Sequence, residues 1–157
     1  TDEVTNSMEC TNAYCSNGQV IVTTDESKLD DPSKLTFAVE AGSAGEAVAK
    51  EEGYNANSVA SQADALMEVA AGTSDACVID LLMAGAMIGE GTSYPNLTYT
   101  VNLNEANGEE DENYVVGFRK GSDLAQALND FFAKSMADGS MQKCAETYKV
   151  QAALIEK

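Results

Sequence analysis

The feature that most constrains this chain is the alternation of short apolar runs with segments that open on helix caps. Three runs rich in β-branched and other apolar residues predict strands at 19–23, 35–39 and 76–79. Ser43 with Glu46, and Ser61 with Asp64, fit the capping box, in which a hydroxyl and an acid three residues later satisfy free N–H groups. Strands that alternate with helices predict a largely parallel sheet covered on both faces.

Apolar spacing and turn residues predict the remaining elements. The expected helices are 44–52, a segment from Ser61 to Gly72, 81–88, a segment after Ser122, and a last one from Ser140. The expected additional strands are 97–103 and 114–118. The helix after Ser122 has one apolar face, made of Leu124, Leu128, Phe131 and Phe132.

The charge balance excludes several kinds of partner. The 26 acidic and 9 basic residues give a formal net charge of -17, which repels nucleic acid and anionic lipid surfaces. Neither is expected as a partner, and solubility is the simplest reading of the acidity. The acidic run 108–112 is read as a solvated loop because it lacks the calcium-loop pattern.

Cysteine and histidine usage argues against a metal centre. The chain has no His, and its four cysteines show no CxxC spacing, so neither a Cys/His zinc site nor any other metal or cofactor is expected. Cys77 lies in an apolar run and is predicted to be a small core residue. Cys10 and Cys15 could form a disulfide in an oxidising compartment, or could both stay free.

Two features are predicted to meet at the carboxyl ends of the strands, where open α/β sheets bind ligands. The loop Gly42-Ser43-Ala44 offers N–H groups and a hydroxyl to an anion, although plain helix capping explains it as well. Asp80 follows a buried strand, where a carboxylate either caps the next helix or meets a cation. Together they would suit the zwitterion of an α-amino acid.

No arrangement of residues indicates catalysis. The chain lacks His, a G-x-S-x-G elbow, a P-loop and a G-x-G-x-x-G loop, and its carboxylates show no argued acid/base pairing. We therefore read the chain as a binding module and not an enzyme.

Several stretches in order resemble signatures of the polar amino-acid solute-binding proteins of ABC transporters. They are LTFAVEAGS at 35–43, SQADAL at 61–66, GTSDACVID at 72–80, ENYVVGFRKGSDL at 112–124 and ADGS at 137–140. The resemblance implies a type II periplasmic-binding-protein-like α/β fold, with one complete lobe built on a mixed, mostly parallel sheet. Hinge strands at 19–24 and 114–118 and the C-terminal helices of a truncated first lobe would complete the chain.

The resemblance also implies domain boundaries and ligand contacts. Residues 1–32 would be the remnant of the first lobe with one hinge strand, 33–106 the second lobe, and 107–157 the return strand and final helices. Gly42, Ser43 and Ala44 would hold the ligand carboxylate and Asp80 its α-amino group. Glu40 would either face the ligand side chain and favour basic amino acids or be a surface or helix-end carboxylate. The carboxylate-clamping arginine of the family's first lobe has no counterpart here.

The expected setting follows from the same resemblance. The protein would act outside the cytoplasm, in the periplasm or lipid-anchored at the cell surface, after removal of a signal peptide, and deliver an amino acid to a membrane permease. The exposed helix face after Asp123 predicts a homodimer or a domain swap. The alternatives are the effector domain of a transcription regulator and a dehydratase of cyclic acids on the same fold.

Overall fold

The computed structural model describes residues 6–100, 102–104, 112–148 and 150–155, which divide into two compact units. Unit 1 contains the residues up to Asn17 together with those from Glu112 onward, and unit 2 runs from Gly18 to Asp111. Residues 18–32, which the sequence analysis grouped with the first lobe, therefore lie in unit 2. The expected boundaries follow from the resemblance alone, whereas the two units reflect which residues contact one another.

The strands are β1 (Met8–Cys10), β2 (Cys15–Asn17), β3 (Gln19–Thr23), β4 (Thr36–Glu40), β5 (Asn55–Val59), β6 (Ala76–Asp80), β7 (Thr98–Tyr99), β8 (Glu112–Tyr114) and β9 (Gly117–Arg119). The helices are α1 (Ala44–Glu51), α2 (Gln62–Ala71), α3 (Leu81–Met87), α4 (Leu124–Ala137) and α5 (Ser140–Thr147). Short 3-10 turns occupy Glu26–Asp30, Pro32–Lys34 and Gln151–Ala153.

Unit 2 is built on a five-stranded sheet with the order β5-β4-β6-β3-β7. β4 pairs in parallel with β5 and β6, whereas β3 pairs antiparallel with β6 and β7. The mixed α/β architecture predicted from the sequence is thus confirmed. The 19–23 run, expected as a hinge strand, is β3, and all five of its residues are buried within this sheet.

Apolar side chains cover both faces of the sheet in unit 2. On one face, Val20, Val22 and Ile79 pack with Leu66 of α2 and Ala84 of α3. The opposite face joins Ile21, Phe37, Val39 and Val78 to Ala49 of α1. The three central strands β3, β4 and β6 are apolar on both sides because helices lie on both faces, as the continuous apolar runs indicated.

β5 is a strand that the sequence analysis missed. Its residues Asn-Ala-Asn-Ser-Val are polar and mostly exposed, so they lack the apolar run that marked the other strands. β5 is an edge strand, paired with β4 alone, and a strand in that position need not be apolar.

Two strand predictions were too long. The strand expected at 97–103 is only Thr98–Tyr99, and residues 103 and 104 are helical; Val101 lies outside the described residues. The strand expected at 114–118 is two strands, β8 and β9, because the chain changes partner between them. β8 pairs with β2 and β9 with β1, and at the change Val116 exchanges hydrogen bonds with Thr11.

Unit 1 joins these two strand pairs to helices α4 and α5. The rings of Tyr14 and Phe132 pack with their centroids 5.3 Å apart, and the Ile155 N–H donates to the Tyr14 carbonyl. Cys10 and Cys15 are both free, and Cys15 is buried in β2. Leu124 and Phe131 of α4 are more than half exposed, whereas Leu128 and Phe132, expected on the same exposed face, are half-buried, Phe132 against Tyr14.

Candidate functional site

The carboxyl ends of the parallel strands of unit 2 form one edge of the sheet. The pairing of β4 with β5 sets Glu40 opposite Val59, and that of β4 with β6 sets Val39 opposite Val78. β3 runs the other way, so its first residue, Gln19, pairs with Asp80. The ends predicted to carry the site therefore lie at a single edge, where ligands bind in open α/β sheets.

The loop from β4 to α1 is a tight turn held by its own hydrogen bonds. Gly42 has φ +77°, a left-handed conformation that favours glycine. Ser43 donates its N–H to the Glu40 carbonyl over 3.1 Å, and its Oγ accepts the Glu46 N–H over 3.1 Å. The capping interaction predicted from the sequence is therefore present.

Glu46 completes this cap in a way that the sequence did not indicate. Its carboxylate accepts the Gly42 N–H over 3.0 Å and the Ser58 hydroxyl over 2.6 Å, and it lies 3.1 Å from the Lys50 ammonium. The Ser58 hydroxyl, then the Gly42 N–H and Lys50, lower the pKa of Glu46 to about 2. A charged anchor thus ties the loop to the edge strand β5.

These bonds decide which N–H donors of the loop are already used. The N–H groups of Gly42 and Ser43, both predicted ligand contacts, are used within the loop. The N–H groups of Ala44 and Gly45, in the first turn of α1, have no protein acceptor in the part of the chain that the structure describes. They carry the partial positive charge of a helix N-terminus.

Asp80 is held by two amide side chains and does not cap its helix. Gln19 Nε2 donates to one carboxylate oxygen over 2.8 Å, and Gln62 Nε2 donates to the other over 2.9 Å. Gln62 Oε1 also accepts the Asp80 N–H over 3.1 Å. Although Asp80 is the N-cap residue of α3, its side chain makes no cap hydrogen bond. Of the two roles considered for Asp80, helix capping is not what the structure shows.

Gln19 and Gln62 were not predicted from the sequence as site residues. Gln19 is only 1% exposed in the structure. The signal available in the sequence was an amide side chain at the start of an apolar strand. Gln62 follows a capping serine and looks like any polar residue in a first helical turn. Gln19 meets Asp80 through the pairing of β3 with β6, and Gln62 reaches it from the start of α2, 18 residues earlier in the chain.

Glu40 ends β4 and is half-buried at the same edge. Its carbonyl accepts the Ser43 N–H, whereas its carboxylate has no hydrogen bond or ion pair within the described residues. It is thus a carboxylate at the predicted site whose charge the described part of the chain does not offset.

The described residues contain no cluster of three or more His, Cys, Asp or Glu side chains arranged to hold a metal ion. Within the same residues, no helix is both long and apolar enough to cross a bilayer.

The fold and this edge define a class: an α/β module of the periplasmic-binding-protein-like type. A scan of known protein families gives no match, and no curated protein matches by sequence. Solved structures do match. They include a mutant of ArgBP from T. maritima, with 26% identity, a TM-score of 0.75, and coverage of 94% of this chain and 64% of that one.

Two further matches are of the same kind. A substrate-binding protein of an ABC uptake transporter from Streptococcus pneumoniae, with bound histidine, has 24% identity and a TM-score of 0.77 over 99% of this chain and 67% of that one. An ancestral cationic amino-acid solute-binding protein has 22% identity and a TM-score of 0.76 over 94% of this chain and 65% of that one. The structural neighbours are thus amino-acid-binding proteins, and the predicted resemblance is confirmed.

The chain spans about two thirds of the length of these neighbours, between 64% and 67% for the three described.

Proposed function

We propose that this chain forms part of an amino-acid-binding protein that supplies an ABC transporter, with the α-amino acid recognised at the carboxyl edge of the unit 2 sheet. The observation that carries the proposal is the joint position of two complementary features at that edge. The first turn of α1 offers N–H donors, and Asp80 offers a carboxylate.

An α-amino acid needs both features at once. Its carboxylate is stabilised by N–H groups at a helix N-terminus, where the donors and the helix dipole favour negative charge. Its ammonium group is stabilised by a carboxylate, which also fixes its position through a charge-assisted hydrogen bond. Binding of this kind needs no chemical step.

Glu40 supports a preference for basic amino acids. A half-buried carboxylate beside the loop would attract an ammonium or guanidinium group on the ligand side chain, and neutral ligands would leave it desolvated and unpaired. Two neighbours have descriptions that match this preference, as ArgBP and as a cationic amino-acid solute-binding protein.

We expect Glu40→Gln to weaken L-arginine binding more than L-leucine binding, measured by calorimetry. An unchanged ratio of the two affinities would remove Glu40 from the site.

The proposal is tested by thermal unfolding with common amino acids. A ligand at 100 times its Kd stabilises the folded state by about 2.7 kcal/mol, which raises the midpoint by several degrees. We expect Asp80→Asn to abolish that rise, because an amide does not attract an ammonium group. The control is Asp130→Asn, an exposed acid on α4 that also accepts from a glutamine. A full ligand-induced rise in Asp80→Asn would contradict the proposal.

The transport role and the location outside the cytoplasm belong to the same proposal. Amino-acid uptake by cells lacking the gene should fall, and the wild-type gene but not Asp80→Asn should restore it. Cell fractionation should recover the protein outside the cytoplasm. Restoration by Asp80→Asn would argue that uptake does not depend on this edge.

One neighbour favours a second candidate. It is described as an ancestral amino-acid-binding protein that is a precursor of cyclohexadienyl dehydratase, with 22% identity and a TM-score of 0.74. Two carboxylates, Glu40 and Asp80, lie at one edge here and could serve proton transfer. Incubation with a cyclohexadienyl acid, followed by mass spectrometry for loss of water, separates this candidate from binding alone.

A further inference from the structure

We propose that Gln19 and Gln62 are positioning residues for Asp80, and that the preference of the site for an ammonium group depends on these two neutral amides. The inference rests on the proposed function and names the groups that set its selectivity. It starts from the fact that Asp80 receives one amide on each carboxylate oxygen, from two different elements.

The two amides restrict Asp80 in different ways. Gln62 makes a closed pair with it, donating to the carboxylate over 2.9 Å and accepting from the Asp80 N–H over 3.1 Å, so the start of α2 is joined to the end of β6. Gln19 lies in β3, the strand paired with β6 on its other side, and donates to the Asp80 carboxylate over 2.8 Å. Its side chain is only 1% exposed. A side chain held from two sides has few rotamers open to it.

Neutral donors hold the carboxylate without cancelling its charge. An arginine or lysine in either position would form an ion pair with Asp80 and compete with a ligand ammonium group. An amide instead orients the carboxylate without adding a positive charge beside it. An ammonium group on the ligand would then meet an oriented, half-buried carboxylate.

Gln19 is also packed against the other half of the proposed site. A Cβ at Gly45, in the first turn of α1, would lie 3.0 Å from Gln19 Oε1. The residue that orients the ammonium acceptor thus lies under the helix turn that offers N–H donors. This packing fixes the spacing between the two halves.

The first test needs no ligand. The side-chain amide resonances of Gln19 and Gln62 are followed by NMR in the full chain and in Asp80→Asn. We expect both amides to shift strongly in Asp80→Asn, since each loses a charged acceptor. Amides that keep their shifts would overturn the inference whatever the chain binds.

The second test measures selectivity with two pairs of probes. They are L-arginine with argininic acid and L-leucine with leucic acid, where a hydroxyl replaces the α-ammonium group in the second member. In Gln19→Met and Gln62→Met, we expect the preference for the amino acid over its hydroxy analogue to fall roughly tenfold, the scale of a hydrogen bond to a charged group.

The ratio of the affinity for the amino acid to that for its hydroxy analogue separates positioning from general stability. A site that was merely loosened would bind both members of a pair more weakly by the same factor. The control is Gln126→Met, whose amide donates to Asp130 over 2.8 Å on an exposed helix face.

The outcomes are distinct for the inference and for the proposed function. Binding with an unchanged ratio in both methionine variants would overturn the inference and leave the proposed function standing. If the wild-type chain bound neither amino acid, the proposed function would fail, and the selectivity role of the two glutamines would fail with it.

Discussion

At the scale of single residues, the environment of a group decides its chemistry more than its identity does. Cys77 and Cys144 are both free thiols, but Cys77 is fully buried in the sheet of unit 2 and Cys144 is exposed on α5. Burial raises the pKa of Cys77 to about 12. The prediction that Cys77 is a core residue is confirmed.

We expect Cys77 to resist alkylation in the folded protein because the reactive thiolate is absent at neutral pH and the sulfur is shielded. Iodoacetamide at pH 8, followed by peptide mapping, should modify Cys144 and leave Cys77 intact until denaturant is added. Equal labelling of the two cysteines in the native protein would contradict the burial of Cys77.

Glu46 should make the free energy of unfolding depend on pH in the acidic range. Its pKa falls from 4.5 to about 2 on folding, so its contribution is fully present above about 4.5 and is lost as the pH falls towards 2. We expect Glu46→Gln to lower the denaturation midpoint at pH 6 and to flatten its decline between pH 5 and pH 2. The control is Glu51→Gln, an exposed acid on the same helix, which should keep the wild-type pH profile.

At the scale of elements, helix α1 is fixed by a close approach to the sheet. Gly45 is buried, and a Cβ there would lie 2.8 Å from the carbonyl oxygen of Val78 in β6. A backbone atom of a central strand cannot move aside. Glycine at this position therefore sets the distance between the helix that offers N–H donors and the strand that ends in Asp80.

Two glycine substitutions in helices should have opposite effects. Gly45→Ala should destabilise the protein, because overpacking costs about 1–3 kcal/mol and exceeds the gain of about 1 kcal/mol from better helix propensity. Gly85→Ala in α3 should stabilise it by about 0.5–1 kcal/mol, since the nearest atom to its Cβ is the Tyr99 hydroxyl at 4.0 Å. Denaturant unfolding measures both, and a stabilising Gly45→Ala would refute the close packing of α1.

The elements that the sequence predicted well are those specified by local patterns. β3 has the predicted bounds, β4 and β6 lie within one residue of theirs, and the Ser43 and Ser61 caps are both present. The poorly predicted elements depend on distant partners. β5 forms because it lies beside β4, and the 114–118 strand is divided because its two halves pair with different strands.

At the scale of the whole chain, the acidic charge and the exposed apolar face of α4 act against each other in self-association. Leu124 and Phe131 are 54% and 59% exposed, which favours a contact between copies, whereas a net charge of -17 opposes it. The homodimer expected from the sequence remains a proposal.

We expect self-association to increase with salt, because screening weakens the repulsion and leaves the apolar contact intact. Sedimentation velocity at high micromolar protein should show a dimer at 0.5 M NaCl and less of it at 0.02 M. Phe131→Gln should abolish the dimer, and Tyr148→Gln, another exposed aromatic residue, should not. A monomer at every salt concentration would exclude the proposal.

The sequence alone determined the order of the main elements, the α/β class and the ends of the strands where a site could lie, because apolar periodicity and capping residues act over a few neighbours. It also indicated Glu40, the 42–44 loop and Asp80 as candidates. Only the tertiary structure decided that Gly42 and Ser43 use their N–H groups internally, and that Gln19 and Gln62 hold Asp80. The loop bonds are local but depend on the geometry of the turn, whereas Gln19 and Asp80 are 61 residues apart and are brought together by the pairing of β3 with β6.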